Sequence, residues 1–91
     1  QRRFAPLCPD LVVELASPSD EGPRGVTALR QKMAAYQANG ARLGWLLLPH
    51  DYAVEVWPAT GAPQRLAPVE LLQATPEFPG LQLQLAEIWS V

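Results

Sequence analysis

The residue with the clearest chemical potential is Glu14, a carboxylate inside an otherwise apolar run. Residues 11–16 are β-branched at the centre of the run and bounded by prolines on both sides, which predicts a buried strand. A carboxylate is costly to bury unless it is paired, protonated or bound to a metal ion. Two interpretations therefore stand for Glu14: a metal ligand held on a rigid strand, or a carboxylate that lies at a sheet edge or pairs with a nearby arginine.

Asp10 lies on the same face of this strand, but its distance from Glu14 argues against a shared metal ion. Four residues of strand separate their Cα atoms by about 13 Å, at ~3.3 Å per residue. Carboxylates that share a divalent ion bring their oxygens to about 2–2.5 Å from it, and side chains this short cannot close the gap. Asp10 is therefore interpreted as a turn residue, and a second carboxylate for Glu14 must come from elsewhere.

The second candidate is Lys32, the single lysine of the chain. Apolar residues at steps of three, four and three predict a helix over residues 26–39, with Lys32 on the shoulder of its buried face. Lys32 lies about 9 Å along this helix, and Glu14 lies about 7 Å before the end of its strand. The two should sit at similar height and within reach of each other. The alternative is an ordinary surface lysine whose stem packs on apolar neighbours.

The elements that must position these residues follow a strand, helix, strand order. A further apolar run at residues 43–48 completes a βαβ unit, which predicts a right-handed crossover. The first strand is expected to be central and buried on both faces. Alternation at residues 53–57 predicts an antiparallel partner for the second strand. Weaker signals predict an edge strand at 64–66, a strand at 81–85 and a helical turn at 86–89.

Composition limits the class of protein. The 91 residues are 48% hydrophobic with a net charge of −2, which predicts one small globular domain without a basic field for nucleic acid. Cys8 and His50 are the only residues of their types, which excludes a disulfide scaffold and a structural zinc site. No long apolar run or leader is seen, so the sequence predicts a soluble, cytoplasmic protein with no membrane partner.

In their order, these motifs resemble the signature of the Uma family of restriction endonucleases, within the PD-(D/E)XK nuclease superfamily. The matching segments are residues 9–20, Leu29, Lys32, Met33, Tyr36, and residues 39–40, 43–49, 54–57 and 79–81. The resemblance implies an α/β fold, a restriction-endonuclease-like mixed sheet with flanking helices. Residues 1–91 would be the β-α-β-β C-terminal part of that core, a partial domain without its first helix and strands.

The resemblance also implies a set of roles. Glu14 would be a catalytic metal ligand for Mg²⁺ or Mn²⁺, and Lys32 the catalytic amine. Ala16 stands where the superfamily usually has its lysine, a departure that the Uma family shares. The implied activity is metal-dependent hydrolysis of DNA, approached through Arg24 and Arg30. The catalytic aspartate would lie upstream of residue 1, so the 91-residue chain is expected to be inactive alone.

Two alternatives to an active endonuclease stand beside this hypothesis. The first is an inactive descendant of the nuclease fold that acts as a protein-interaction or homodimerisation module. In that case residues 46–48 and the tryptophans can pack between subunits as easily as within one. The second is an unrelated small α/β interaction module in which Glu14 and Lys32 form a plain ion pair.

Overall fold

The computed structural model describes residues 10–74 and 76–90, and its largest feature is a four-stranded mixed sheet. The strands are β1 (Leu11–Leu15), β2 (Leu43–Leu48), β3 (Ala53–Pro58) and β4 (Gln64–Leu66), hydrogen-bonded in the order β1-β2-β3-β4. β1 pairs parallel to β2, whereas β3 pairs antiparallel to both β2 and β4. With a helix between β1 and β2, the predicted β-α-β-β order is confirmed.

Helix α1 (Pro23–Ala38) makes the crossover between the two parallel strands. It begins three residues earlier than predicted because Pro23 occupies its first turn, where a missing N–H costs no helical hydrogen bond. Gly40 follows its end with φ of +102°, a left-handed conformation that favours glycine. Met33 is buried at the centre of its inner face. The partly buried residues beside it are Val26, Leu29 and Tyr36.

The opposite face of the sheet is covered by a two-stranded antiparallel sheet and a short helix. These elements are β5 (Leu71–Gln73), β6 (Gln82–Gln84) and α2 (Ala86–Trp89). The sequence predicted β6 and α2 but not β5. Within the described residues, no helix is both long and apolar enough to cross a membrane.

The apolar run of β2 is buried in the core of the chain itself. Leu46, Leu47 and Leu48 are at most 2% exposed, and Trp45 and Trp57 are also buried. Of the two packings that the sequence left open for this run, the structure shows packing within the chain for it and for these two tryptophans, because layers on both faces of the sheet cover them. Homodimerisation through another surface stays a prediction.

The burial predicted for both faces of β1 is also wrong. On the face toward α1, Val12 and Ala16 are buried, but on the other face Val13 is 45% and Leu15 55% exposed. β1 lies at the edge of the sheet formed by the described residues, and the second layer packs on β2 and β3. The apolar composition of β1 therefore does not predict its place at the edge of this sheet.

Candidate functional site

Glu14 projects from β1 toward the layer that contains α1. It is directly opposite Leu46 of β2, whose side chain is fully buried in the core on that same face. The Glu14 side chain keeps 21% of its surface exposed, because among the described residues β1 has a strand on one side only. The strand thus holds a carboxylate on a rigid support at the boundary between core and solvent.

Lys32 meets this carboxylate from α1. Its Nζ lies 3.3 Å from Oε1 and 3.2 Å from Oε2 of Glu14, and the lysine side chain is 52% exposed. The similar height that the sequence predicted for the two residues is confirmed as a contact. A pair this exposed contributes only about 0–1 kcal/mol to folding, since solvent screens it. Stability alone is therefore a weak reason for placing these two groups together.

Asp10 lies apart from this pair. It is exposed at the entrance of β1. Its carbonyl oxygen accepts hydrogen bonds from the backbone N–H groups of Arg42 and Leu43, at 3.0 and 3.1 Å. These bonds join the start of β1 to the start of β2, which agrees with the interpretation of Asp10 as a turn residue.

A second ion pair on the same face of the sheet was missed by the sequence reasoning. Glu55 of β3 is only 4% exposed, and its Oε2 accepts hydrogen bonds from Nε and a terminal nitrogen of Arg30, at 2.8 and 2.5 Å. These hydrogen bonds raise the pKa of the Arg30 guanidinium above its usual value. The other oxygen of Glu55 has no hydrogen-bond partner among the described residues. The signal that could have found this pair is the one used for Glu14, a carboxylate in an apolar strand.

The turn after β1 brings further polar groups to the same end of the sheet. The backbone N–H and the hydroxyl of Ser17 donate to Oδ2 of Asp20, at 3.0 and 2.7 Å. These hydrogen bonds lower the pKa of Asp20, with a smaller contribution from the positive charge of Lys32. Glu21 accepts a hydrogen bond from the backbone N–H of His50, at 2.9 Å. Asp20 and Glu21 are thus engaged in holding the turns together.

The chemistry of the Glu14 carboxylate suits a hard divalent cation, which prefers oxygen ligands. Residues 10–74 and 76–90 contain no cluster of three or more histidine, cysteine, aspartate or glutamate side chains that could hold a metal ion. The chemistry of Glu14 thus fits Mg²⁺ or Mn²⁺ as one ligand, and the described residues do not gather further such ligands into a cluster around it.

Comparison with known families decides where the chain belongs. The sequence model of the family Uma2, described as putative restriction endonuclease, matches residues 1–86. The chain belongs to the Uma2 family. This membership contradicts the alternative of an unrelated α/β module, although the ion pair which that alternative predicted is present. No curated protein matches the chain.

A solved structure supports the fold of this Uma2 chain. It is described as a putative nuclease belonging to DUF820 from Anabaena variabilis ATCC 29413, and it matches with a TM-score of 0.68 at 21% identity. The match covers 89% of this chain and 44% of that one, so the chain spans less than half the length of this relative. The predicted restriction-endonuclease-like α/β fold is confirmed.

Proposed function

We propose that this chain carries part of the active site of a divalent-metal-dependent endonuclease that hydrolyses phosphodiester bonds of DNA. The observation that carries the proposal is the contact between Glu14 on a sheet edge and Lys32 on the helix that follows it. Membership in the Uma2 family supports this class of activity. The remaining metal ligands are proposed to lie outside the described residues.

Each residue has a distinct role in this proposal. Glu14 holds Mg²⁺ or Mn²⁺, and the bound ion supplies Lewis acidity toward phosphate and water. The ammonium group of Lys32 has three N–H donors, so it can contact Glu14 and still donate to a phosphate oxygen or a water molecule. Its positive charge stabilises the negative charge that develops as the phosphodiester is attacked. The half-exposed lysine is open to a large substrate.

Of the two arginines predicted to approach DNA, Arg24 is now the stronger candidate. Arg24 is exposed near the start of α1. Arg30 is also exposed in part, but its guanidinium is held by Glu55. A phosphate that contacts Arg30 must compete with this carboxylate, whereas Arg24 has no such partner among the ion pairs of the described residues.

The test is DNA cleavage by the intact protein in Mg²⁺ or Mn²⁺. Glu14→Gln keeps the shape of the side chain but removes the charge that holds the cation, so we expect cleavage to fall at least about 100-fold. Lys32→Ala should lower kcat by a similar factor, on the order of 100-fold. Asp51→Asn is the matched control, because Asp51 forms an exposed ion pair with Arg65 elsewhere on the surface. Full activity in Glu14→Gln would refute the proposed role.

One observation favours a second candidate function, an inactive nuclease-fold descendant that forms homodimers. The exposed apolar side chains of Val13 and Leu15 lie together on one face of the edge strand β1. For this function, sedimentation should show a dimer that Leu15→Asp converts to a monomer, and no metal-dependent cleavage should be found. A monomer that cleaves DNA would exclude it.

A further inference from the structure

We propose that Arg30 and Glu55 act as a positioning pair, which fixes the rotation of α1 about its axis and thereby holds Lys32 against Glu14. The catalytic consequence of this inference rests on the proposed function, but the geometric part does not. Neither residue touches the proposed catalytic groups, so their effect must pass through the helix.

The sheet presents its two buried or half-buried carboxylates in a single row. Glu14 of β1, Leu46 of β2 and Glu55 of β3 are register partners, so their side chains project from the same face. Two strand spacings of about 4.8 Å place the Cα atoms of the glutamates about 10 Å apart. Leu46, 0% exposed, fills the space between them. The helix thus lies over an apolar centre with one carboxylate on each side.

The helix presents its two cations in the complementary arrangement. Arg30 and Lys32 are two residues apart, which places them about 200° apart around the helix, at about 100° per residue. The buried Met33 and the partly buried Leu29 lie in the smaller arc between them. Arg30 therefore reaches down one side of the apolar stripe to Glu55, and Lys32 reaches down the other side to Glu14. A roll of the helix in either direction must lengthen one of these pairs.

The energetics of burial favour a positioning role over a purely stabilising one. The Arg30 side chain is 47% exposed, so the cost of desolvation falls mainly on the buried Glu55 carboxylate. A partner repays little of such a cost, and apolar replacements of buried ion pairs are often as stable or more so. Glu55 is buried with one oxygen unpaired among the described residues, which adds to that cost. The best-attested benefit of such pairs is that they select one packing arrangement. Apolar contacts of Met33 and Leu29 tolerate small rolls of the helix, whereas two hydrogen bonds to one carboxylate oxygen do not.

The first test separates position from stability by NMR on the intact protein. The double variant Arg30→Met with Glu55→Met replaces the pair by apolar side chains. We expect its unfolding midpoint to be unchanged or higher, while the NOE between Lys32 Hε and Glu14 Hγ falls by about threefold or more. The signals of Lys32 are assigned by their loss in Lys32→Ala. The control variant, Asp51→Asn with Arg65→Gln, removes an exposed pair that does not involve α1 and should leave this NOE unchanged.

The second test measures cleavage by the intact protein. The double methionine variant should lower kcat by about 10-fold, because small misplacements of a reacting group are costly. The positioning role is measured by kcat and not by KM, since Arg30 is also a predicted contact for DNA. In a Lys32→Ala background the double methionine variant should cost less than about twofold more, since its effect acts through Lys32. Glu55→Gln removes the charge of the carboxylate and should also lower kcat. Arg30→Lys keeps a cation and should therefore retain part of the kcat that the double methionine variant loses.

The outcomes separate this inference from the proposed function. An unchanged NOE between Lys32 and Glu14, or losses of kcat that multiply in the Lys32→Ala background, would overturn the positioning role. If instead Glu14→Gln and Lys32→Ala leave cleavage intact, the proposed function fails. The NMR result still decides whether the buried pair positions the helix.

Discussion

In the part of the chain that the structure describes, two carboxylate–cation pairs join the same helix to the same sheet, in different environments. Glu55 and Arg30 meet over the central strand β3, where the carboxylate is 5% exposed. Glu14 and Lys32 meet over the edge strand β1, where the carboxylate is 21% exposed and the lysine 52%. The Glu55 side chain of the central pair is shielded from solvent although Arg30 is 47% exposed, whereas both side chains of the edge pair are open in part to a ligand. The comparison shows how one helix can be fixed at one side and available for chemistry at the other.

The largest expected difference between the two pairs is in stability. Arg30→Ala leaves the buried Glu55 carboxylate without its partner, which we expect to cost about 3 kcal/mol of unfolding free energy. Lys32→Ala leaves a partly hydrated Glu14 and should cost less than about 1 kcal/mol. Urea denaturation monitored by tryptophan fluorescence measures both values. Equal costs for the two variants would contradict the contrast between a buried and an exposed pair.

The next largest effect should disturb both pairs at once, through the start of α1. A Cβ atom on residue 25 would lie 2.6 Å from the backbone carbonyl carbon of Asp20, closer than real contacts allow. Alanine in a helix gains about 1 kcal/mol over glycine, but backbone overlap typically costs about 1–3 kcal/mol, so Gly25→Ala should be destabilising overall. It should also weaken both ion pairs, because α1 must shift away from the preceding turn.

Gly22→Ala is the control for this substitution, since a Cβ there meets no heavy atom within 4 Å. It loses some of the preference for glycine at the N-cap and should cost less than Gly25→Ala in the same denaturation experiment. A stable Gly25→Ala variant with unchanged NOEs from Lys32 would show that the helix does not depend on this close approach.

The sequence predicted one pair and missed the other for a physical reason. Glu14 interrupts an apolar run, and a carboxylate in such a run predicts a paired or metal-bound group. Glu55 sits in a strand that alternates, and alternation predicts a solvent-facing side chain at the polar position. In the structure both faces of β3 are covered, so the side chain of Glu55 faces the layer that contains α1 and not the solvent. Alternation predicts that the two faces of a strand differ in environment. It does not predict that the face with the polar residue is exposed to solvent.

Non-local pairing explains the other differences between sequence and structure. β5 has only three residues, and it forms by pairing with β6 about ten residues later, which no local pattern reveals. β1 was expected at the centre of a sheet, but Val13 and Leu15 are exposed, because on this face of β1 only Leu11 packs against the layer over β2 and β3. By contrast, the bounds of β2 and β4 were predicted correctly, since prolines and apolar runs determine them locally.

A smaller effect is expected from salt, which should change the cost in unfolding free energy of Lys32→Ala more than that of Arg30→Ala. At 1 M NaCl the Debye length is about 3 Å, so the attraction between exposed charges is largely screened. The small cost of Lys32→Ala should approach zero between about 0.05 and 1 M NaCl, whereas most of the cost of Arg30→Ala should persist. The exposed Asp51–Arg65 pair is a reference and should behave like Glu14–Lys32. A salt-independent cost for Lys32→Ala would indicate that its contact with Glu14 is more shielded than its exposure suggests.

The smallest expected effect is on the pKa of Asp20, a third carboxylate, to which the charge of Lys32 contributes. Hydrogen bonds from Ser17 lower its pKa in the folded state, and Lys32 adds a minor contribution. A lowered pKa means that Asp20 stabilises the fold above its unfolded value of about 3.9, and this contribution is lost as the pH falls through the folded pKa. Ser17→Ala should remove the largest single contribution, that of the hydroxyl, while the backbone N–H of residue 17 still donates to Asp20, and Lys32→Ala should remove only a little. Titration of the Asp20 carboxyl by NMR in both variants checks the order. A larger rise of the Asp20 pKa in Lys32→Ala than in Ser17→Ala would mean that the lysine charge is divided between Glu14 and Asp20, and the edge pair would then be a three-residue cluster.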